Sequence, residues 1–534
     1  MTIGVDIAAG EVGEAIDARL AAWSAQSVGA RLWDRDPTIW FDPPRDEITN
    51  RLGWLCPGAE GGIVGLQEFA SAVRLDGFTD VVLLGMGGSS LAPEVFASVF
   101  RDADAPRLTV LDSTHPAAVA RVADAIDPAT TLFIVASKSG TTLETTSFFE
   151  YFWEVVEATT ESPGDHFIAI TDPESDLAAL GDERGFLAVF LASPDVGGRF
   201  SALIEFGLVP AALVGVDLAR LFEGADAAAW ACGPDVPVDE NPALRLGAAL
   251  GEFALAGRDK VVFTTDPIFA SFPAWIEQLV AESLGKDGTG ILPVAAGSAE
   301  PAADRLPFRI GLSGTPTTEE PSITMTLDDA YDLGAAMFIL EMATAAAGIV
   351  LGVHPFDQPD VQLAKSFAHK AMTEGFDGLE IAEWALGEPA TAERIGALLS
   401  EAGPGGYVAV QAYLQPTNAT TQRLDAIADA IARRTGAVVT VGYGPRFLHS
   451  TGQFHKGGPD GGVFLEIVDH PTPDLDVPGA GYTFGELINA QAVGDQAALH
   501  DRERPVGMVC LGEAGPADLP RLKEIIERED GSRQ

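Results

Sequence analysis

An α/β fold built on parallel sheets is predicted by three features of the sequence. Short β-branched runs alternate strictly with helical stretches, the pattern of a parallel sheet covered on both faces. The first strong run, VVLLGMGGSSLAPE at 81–94, passes from four apolar residues through a glycine turn straight into a helix opening. A hydrophobic content of 47 % over 534 residues is enough to bury substantial cores in roughly three or four units.

Residues 1 to about 60 read as an N-terminal helical arm with a Trp- and Pro-rich connector, because Ile16, Leu20, Ala21 and Trp23 fall on one side at helical spacing. From 61 to about 225, VVLLG, LTVLDS, TLFIVASKSG and HFIAITD alternate with APEVFASVF and ETTSFFEYFWEVVEA, forming a first unit. A second unit, 226–384, contains KVVFTTD, the helical PAWIEQLVAESLGK, GILPVAA, ITMTL, a long apolar helix over 331–351 and a helix entered at HPFDQPDVQLAKSFAHK. From 385 to 534 an α/β extension follows: GYVAVQAYL, an amphipathic helix around LDAIADAIARR, AVVTVGYG, the glycine-rich loop FLHSTGQFHKGGPDGG, VFLEIV and PVGMVCL. No short-period repeat or low-complexity linker interrupts the chain.

Charge and cysteine content narrow the function. Seventy-eight acids against 33 bases give a net charge of -45, which repels nucleic acid and anionic membrane. The acids are scattered, as on a solvated surface, so a site for an anion must build its own positive field from backbone amides, a few bases and helix N-termini. Three widely spaced cysteines without a CxxC pair suggest neither a disulfide framework nor a zinc motif, and fit a reducing compartment. The acidic start of the chain is unlike a signal peptide, and no uninterrupted apolar run reaches about twenty residues, so a soluble, cytoplasmic protein is expected.

GMGGSS is suited to a phosphate, since its free N–H groups and the following helix end face one point and Ser89 and Ser90 add hydroxyls. A dinucleotide site is the rival, supported by Asp112 at the end of the next strand, but Ser90 stands where the third glycine of GxGxxG belongs. A second turn, ASKSGTTLET at 136–145, is packed with hydroxyls and also opens a helix. Turns at the carboxyl ends of neighbouring parallel strands meet at a switch point, so the two can converge on a terminal monophosphate; the alternative for either alone is ordinary helix capping.

These residues resemble the glucose-6-phosphate isomerase family, built from two SIS-type αβα sandwich domains. GMGGSSLAP is similar to its first glycine turn, SKSGTTLET to its phosphate loop, DVGGRFS at 195–201 to its arginine signature, WIEQLVAESLGK to its glutamate segment and FDQPDVQLAK at 356–365 to its lysine signature. The resemblance, covering about 60 to 370, implies reversible interconversion of glucose 6-phosphate and fructose 6-phosphate through an enediolate. It makes Glu282 the base, Arg199 the stabilising cation and Lys365 an aid to ring opening, with Gln278, one helical turn before Glu282, holding the substrate. Ser89, Ser137, Ser139 and Thr142 would hold the phosphate, with Gly88 and Lys138 lining the approach and Gln358 sharing the face of Lys365 if the helix starts that early. No metal or other cofactor is implied.

The sequence departs from the family in one respect. No histidine lies between 283 and 353, where the family's ring-opening histidine belongs. His354 and His449 are the two replacements, and His449 is preferred because the flexible loop Ser450-Thr451-Gly452 can carry it into a site, whereas His354 before Pro355 can cap the coming helix. His455 and Lys456 are a further option, set against the solvated state usual for exposed loop residues. The tail from about 385 resembles the end of the isomerase half of transaldolase-isomerase fusions, but is too short for a transaldolase barrel. The family is usually homodimeric; a monomer completed by its own tail is the alternative, and a separate transaldolase is a candidate partner. Two rival functions are an isomerase acting also on mannose 6-phosphate and a sugar-phosphate-binding regulator without turnover.

Overall fold

The computed structural model describes residues 3–59, 62–312, 321–375 and 381–528. Their strands form three sheets, all mostly parallel. The first holds β2 (Asp80–Gly85), β3 (Arg107–Leu111), β4 (Thr131–Ala136), β5 (Phe167–Thr171) and β6 (Ala188–Leu191), in the order β3-β2-β4-β5-β6. In β2, Val81 and Leu83 enter one core while Val82 and Leu84 enter another. That two-residue alternation between two apolar layers is why the run is hydrophobic throughout. The chain leaves β2 towards β3 and then crosses to β4 on the other side, so the loops after β2 and β4 border a switch-point crevice, with Gly85 paired to Ala136 at its floor.

The second sheet joins β1 (Gly4–Ala8), β7 (Lys260–Thr265), β8 (Leu292–Val294), β10 (Arg305–Gly311) and β11 (Ser322–Thr326) in the order β1-β11-β10-β7-β8. Here the expected all-helical arm is corrected: residues 4–8 form a strand, antiparallel to β11. Its partner lies more than three hundred residues away, so no local pattern announces the pairing, which covers the edge of β11.

The third sheet contains β9 (Gly297–Ser298), β12 (Glu383–Ala385), β13 (Tyr407–Tyr413), β14 (Val438–Tyr443), β15 (Gly462–Val468) and β16 (Val506–Cys510), ordered β12-β16-β15-β13-β14-β9. It is open, with β12 and β9 at its edges, and not a barrel. Its membership crosses the expected division at 384, because β9 comes from the preceding region and pairs with β14. The helix Pro359–Glu374 also packs on the tail. A methyl group at Gly494, in helix Phe484–Asp501, would lie 2.6 Å from the Ala368 nitrogen, a closeness only glycine allows.

Helix Leu333–Leu351 is long and apolar enough to cross a membrane, but 89 % of its apolar window is buried inside the protein. It packs on helix Pro242–Leu255 so closely that a methyl at Gly247 would lie 2.6 Å from the Ala343 carbonyl oxygen. It stops at Gly352, left-handed at φ 69°, which turns the chain into the His354 segment. Within this helix Glu341 is 1 % exposed and its Oε1 has no hydrogen-bond partner. Burial holds its carboxyl well above the ordinary 4.5. The folded protein therefore keeps a proton that the unfolded chain releases above that value, so this group destabilises progressively as pH rises. Glu341→Gln is expected to flatten the fall in melting temperature as pH rises above the ordinary carboxyl value, whatever its offset, as followed by circular dichroism.

Candidate active site

The glycine turn after β2 is where three segments meet. Gly87 has φ 54°, a left-handed conformation, and a methyl there would lie 2.8 Å from both the Gln278 amide nitrogen and the His449 carbonyl oxygen. A methyl at Gly88 would fall inside the van der Waals envelope of the Gly198 carbonyl. The close approach beside Arg199 thus depends on Gly88, while Gly197 and Gly198 have open space around their own α-carbons.

Helix Phe272–Leu284 enters this meeting point with both faces buried. Gln278 and Glu282 lie one turn apart, and Gln278 Nε2 donates to Glu282 Oε2 at 3.1 Å and to the His449 carbonyl at 2.8 Å. Gln278 Oε1 is buried without a partner. Arg199, 4 % exposed, makes four hydrogen bonds and one ion pair through its guanidinium. Nε donates to Ser283 Oγ at 2.8 Å, Nη1 to Gln358 Oε1 at 2.9 Å and Nη2 to the carbonyls of Pro355 and Asp357 at 2.8 and 2.9 Å, while Nη1 also pairs with Glu282 Oε1 at 3.1 Å. Burial lowers the guanidinium from its ordinary value, opposed by Glu282 and Asp357.

Lys286, one turn beyond Glu282 and without an expected role, is also buried here. Its ammonium bonds the His354 carbonyl and pairs with Asp357 at 2.8 Å. Burial, then Arg199, push it down to about 7 against the pull of Asp357.

His449 reaches the same place from the third unit, in the short turn Arg446–His449. Its Nε2 lies 3.0 Å from Glu144 Oε1, in the first turn of helix Leu143–Glu157, and Gln491 Nε2 donates to the same oxygen at 2.8 Å. Burial would raise the Glu144 carboxyl, but His449, its hydrogen bonds and Lys365 together bring it down to about 2. Arg446 anchors the turn to the first unit: Nη1 donates to Asp112 Oδ2 at 2.9 Å and Nη2 pairs with Glu94. Asp112, the residue that favoured a dinucleotide, is thereby accounted for. Glu277, on the outer side of Gln278, is pushed by burial up to about 7, against Arg446 and Ser450.

The expected flexible loop is corrected as well. Residues 452–457 form a short helix, and His455 and Lys456 are 3 % and 2 % exposed. His455 Nδ1 lies 3.0 Å from the Tyr407 hydroxyl, and Lys456 pairs with buried Asp495. Neither is solvated.

The hydroxyl turn lies beside the glycine turn, as the strand order requires. Thr142 and Ser90 occupy N-cap positions but form no capping side-chain bond, so capping does not account for these hydroxyls. Ser137 Oγ lies 2.8 Å from Thr142 Oγ1, and Ser139 Oγ lies 3.1 Å from Thr141 Oγ1. Lys138 turns aside to Asp172 at 2.6 Å and the Pro194 carbonyl at 3.2 Å, and burial lowers it. His354 sits beside the site with its ring turned to the backbone: Nε2 lies 2.7 Å from the Asp46 carbonyl and Nδ1 accepts from the Phe356 and Asp357 amides. Gln358 does not share a helical face with Lys365. It precedes Pro359, which disfavours helix, and at φ -150° stands outside the helix with its amide on Arg199. Lys365 is exposed on that helix near Glu144. A surface groove of about 800 Å³ lined by Tyr151, Glu154, Tyr482 and Glu486 contains none of these side chains.

A family model described as phosphoglucose isomerase matches residues 71–291, which hold both turns, Arg199, Gln278 and Glu282. That segment carries a phosphoglucose isomerase domain. The chain is 29 % identical over 428 residues to the glucose-6-phosphate isomerase of Rubrobacter xylanophilus, covering 67 % of this chain and 95 % of that one. It is 36 % identical over 221 residues to a probable glucose-6-phosphate isomerase of Haloquadratum walsbyi, covering 41 % and 50 %. Among solved structures, a hypothetical protein of Thermus thermophilus superposes with TM-score 0.58 at 25 % identity, over 70 % of this chain and all of that one. A glucose-6-phosphate isomerase of Chlamydia trachomatis superposes with TM-score 0.52 at 21 % identity, over 70 % and 80 %, and shares the fold.

Because Gly88 has no room for a methyl, Gly88→Ala is expected to cost about 1–3 kcal/mol in urea unfolding, the usual penalty of overpacking. The same change at Gly197, where space is open, is expected to cost less.

Proposed function

We propose that this chain reversibly isomerises D-glucose 6-phosphate and D-fructose 6-phosphate. One observation carries the reading: a single amide, Gln278 Nε2, bonds both the Glu282 carboxylate and the backbone of His449, so a proton-abstracting carboxylate and an imidazole–carboxylate pair share one small volume. A regulator that only senses a sugar phosphate needs the hydroxyl turns but neither proton carrier.

In this reading the phosphate rests on Ser89, Ser137, Ser139 and Thr142 and the N-terminus of helix Leu143–Glu157, which supply a positive field within an acidic protein. Glu144 holds His449 by Nε2, leaving Nδ1 to take the proton of the anomeric hydroxyl while Lys365 protonates the ring oxygen. Glu282 then removes the C2 proton of the open aldose and returns it to C1, while the proton of the C2 hydroxyl passes to the C1 oxygen to complete the ketose. Its two oxygens are fixed by Arg199 and Gln278, which orients the carboxylate. With four N–H groups of Arg199 bonded to protein acceptors and Nη1 paired with Glu282, the guanidinium acts on the enediolate through its charge. The unpartnered Gln278 Oε1 is free to accept a substrate hydroxyl. His449 comes from this same chain, which supports a site assembled without a borrowed residue.

Glu282→Gln is expected to lower kcat by about 10² to 10⁴-fold in a coupled assay while fructose 6-phosphate still binds. Unchanged turnover would refute the base; a wild type that binds but never converts would establish a regulator. His449→Ala and Arg446→Gln, the latter by releasing the turn that carries His449, are expected to slow closed-ring hexose phosphate about tenfold to hundredfold. Both should spare a four-carbon aldose phosphate, which has no ring to open. Equal loss on both substrates would contradict the ring-opening role.

A further inference from the structure

On the third sheet, three side chains of different chemistry converge outside the site described above. Cys510 ends β16, His470 lies two residues past the end of β15, and Glu383 opens the edge strand β12. Glu383 pairs with Met508 in the parallel register, so it shares a sheet face with Cys510, two residues farther along. One donor atom from each residue belongs to a group whose members all lie within 4.8 Å of one another. The Cys510 sulfur and His470 Nε2 are 3.3 Å apart. A tetrahedral zinc ion holding a thiolate and an imidazole needs about 3.5 Å between those two atoms. The carboxylate of Glu383 is solvent-exposed and makes no ion pair among the described residues, so it can close the remaining distance. Asp469, beside His470, is engaged by His115 at 3.2 Å and is not counted with the three.

We propose that Glu383, His470 and Cys510 form a binding site for a divalent transition metal of the zinc class, with water in the fourth position on the solvent side. Cys510 binds as thiolate and its proton passes to solvent; His470 binds through the lone pair of Nε2 as the neutral ring. One sulfur, one nitrogen and one oxygen donor suit zinc or cobalt and not magnesium or calcium, which take oxygen ligands. The ion would join β12, β15 and β16 at one point, and β12 gains most, being three residues long and paired only to β16. None of the three ligands bonds a residue of the proposed isomerase site, so metal binding and turnover are separable.

The test is titration of the purified full chain with cobalt(II). At one equivalent the wild type is expected to develop a thiolate-to-cobalt charge-transfer absorption, to release about one proton, and to keep the band in excess magnesium. Cys510→Ser should abolish the band, His470→Ala should abolish or strongly weaken it, and Glu383→Gln should weaken binding at least about tenfold. Retained isomerase activity in each variant shows that it has folded. Absence of the band in the wild type overturns the proposal, as does cobalt that magnesium displaces. A band that survives in Cys510→Ser also overturns it, since Cys56 or Cys232 would then be the ligand.

Discussion

The structure depends on the two missing side chains of the glycine turn after β2. Gly87 leaves room for Gln278 and the His449 backbone, and Gly88 leaves room for the turn that carries Arg199. Any larger residue would separate the first sheet from the helix bearing Glu282 and from the turn bearing His449. The turn therefore has two uses: its amides and Ser89 are proposed to face an anion, and its bare α-carbons set how closely three parts of the chain approach. Glycine in such turns is usually explained by the first use alone.

Around that contact, charge is buried in compensated groups. Arg199 ties the first unit to Glu282 and to the 355–358 segment, and Arg446 ties the third unit back to the first through Asp112 and Glu94. In the third unit, Lys456 pairs with Asp495 beside Glu466, whose carboxyl burial raises well above its ordinary value. Removing one partner of such a group leaves a buried charge uncompensated, which costs far more than the intact pair contributes. The isomerase geometry is thus held by permanently charged arginines, whose planar forks fix several partners at once.

Much of this was legible in the sequence, for reasons that can be named. The all-apolar VVLL run reports a strand between two cores, and GMGGSS reports a turn with free amides. The four-residue spacing of Gln278 and Glu282 places them on one helical face, where the structure joins them. What stayed hidden depends on distant partners. Glu144 looks like an ordinary acid in a first helical turn until His449 and Gln491 arrive from more than three hundred residues away. The strand at 4–8 has no signal apart from the edge it covers, and His455 and Lys456 look exposed because glycines surround them. Gln358 stands outside the helix because the following proline disfavours an early helix start.

His449 lies in the last fifth of the chain, yet its ring meets a carboxylate of the first sheet unit and its carbonyl meets the helix of the second. During synthesis, the amino-terminal units can leave the ribosome and fold well before this residue emerges. A nascent chain at that stage carries the turns proposed to grip phosphate but not the imidazole, so ligand capture would precede competence for turnover.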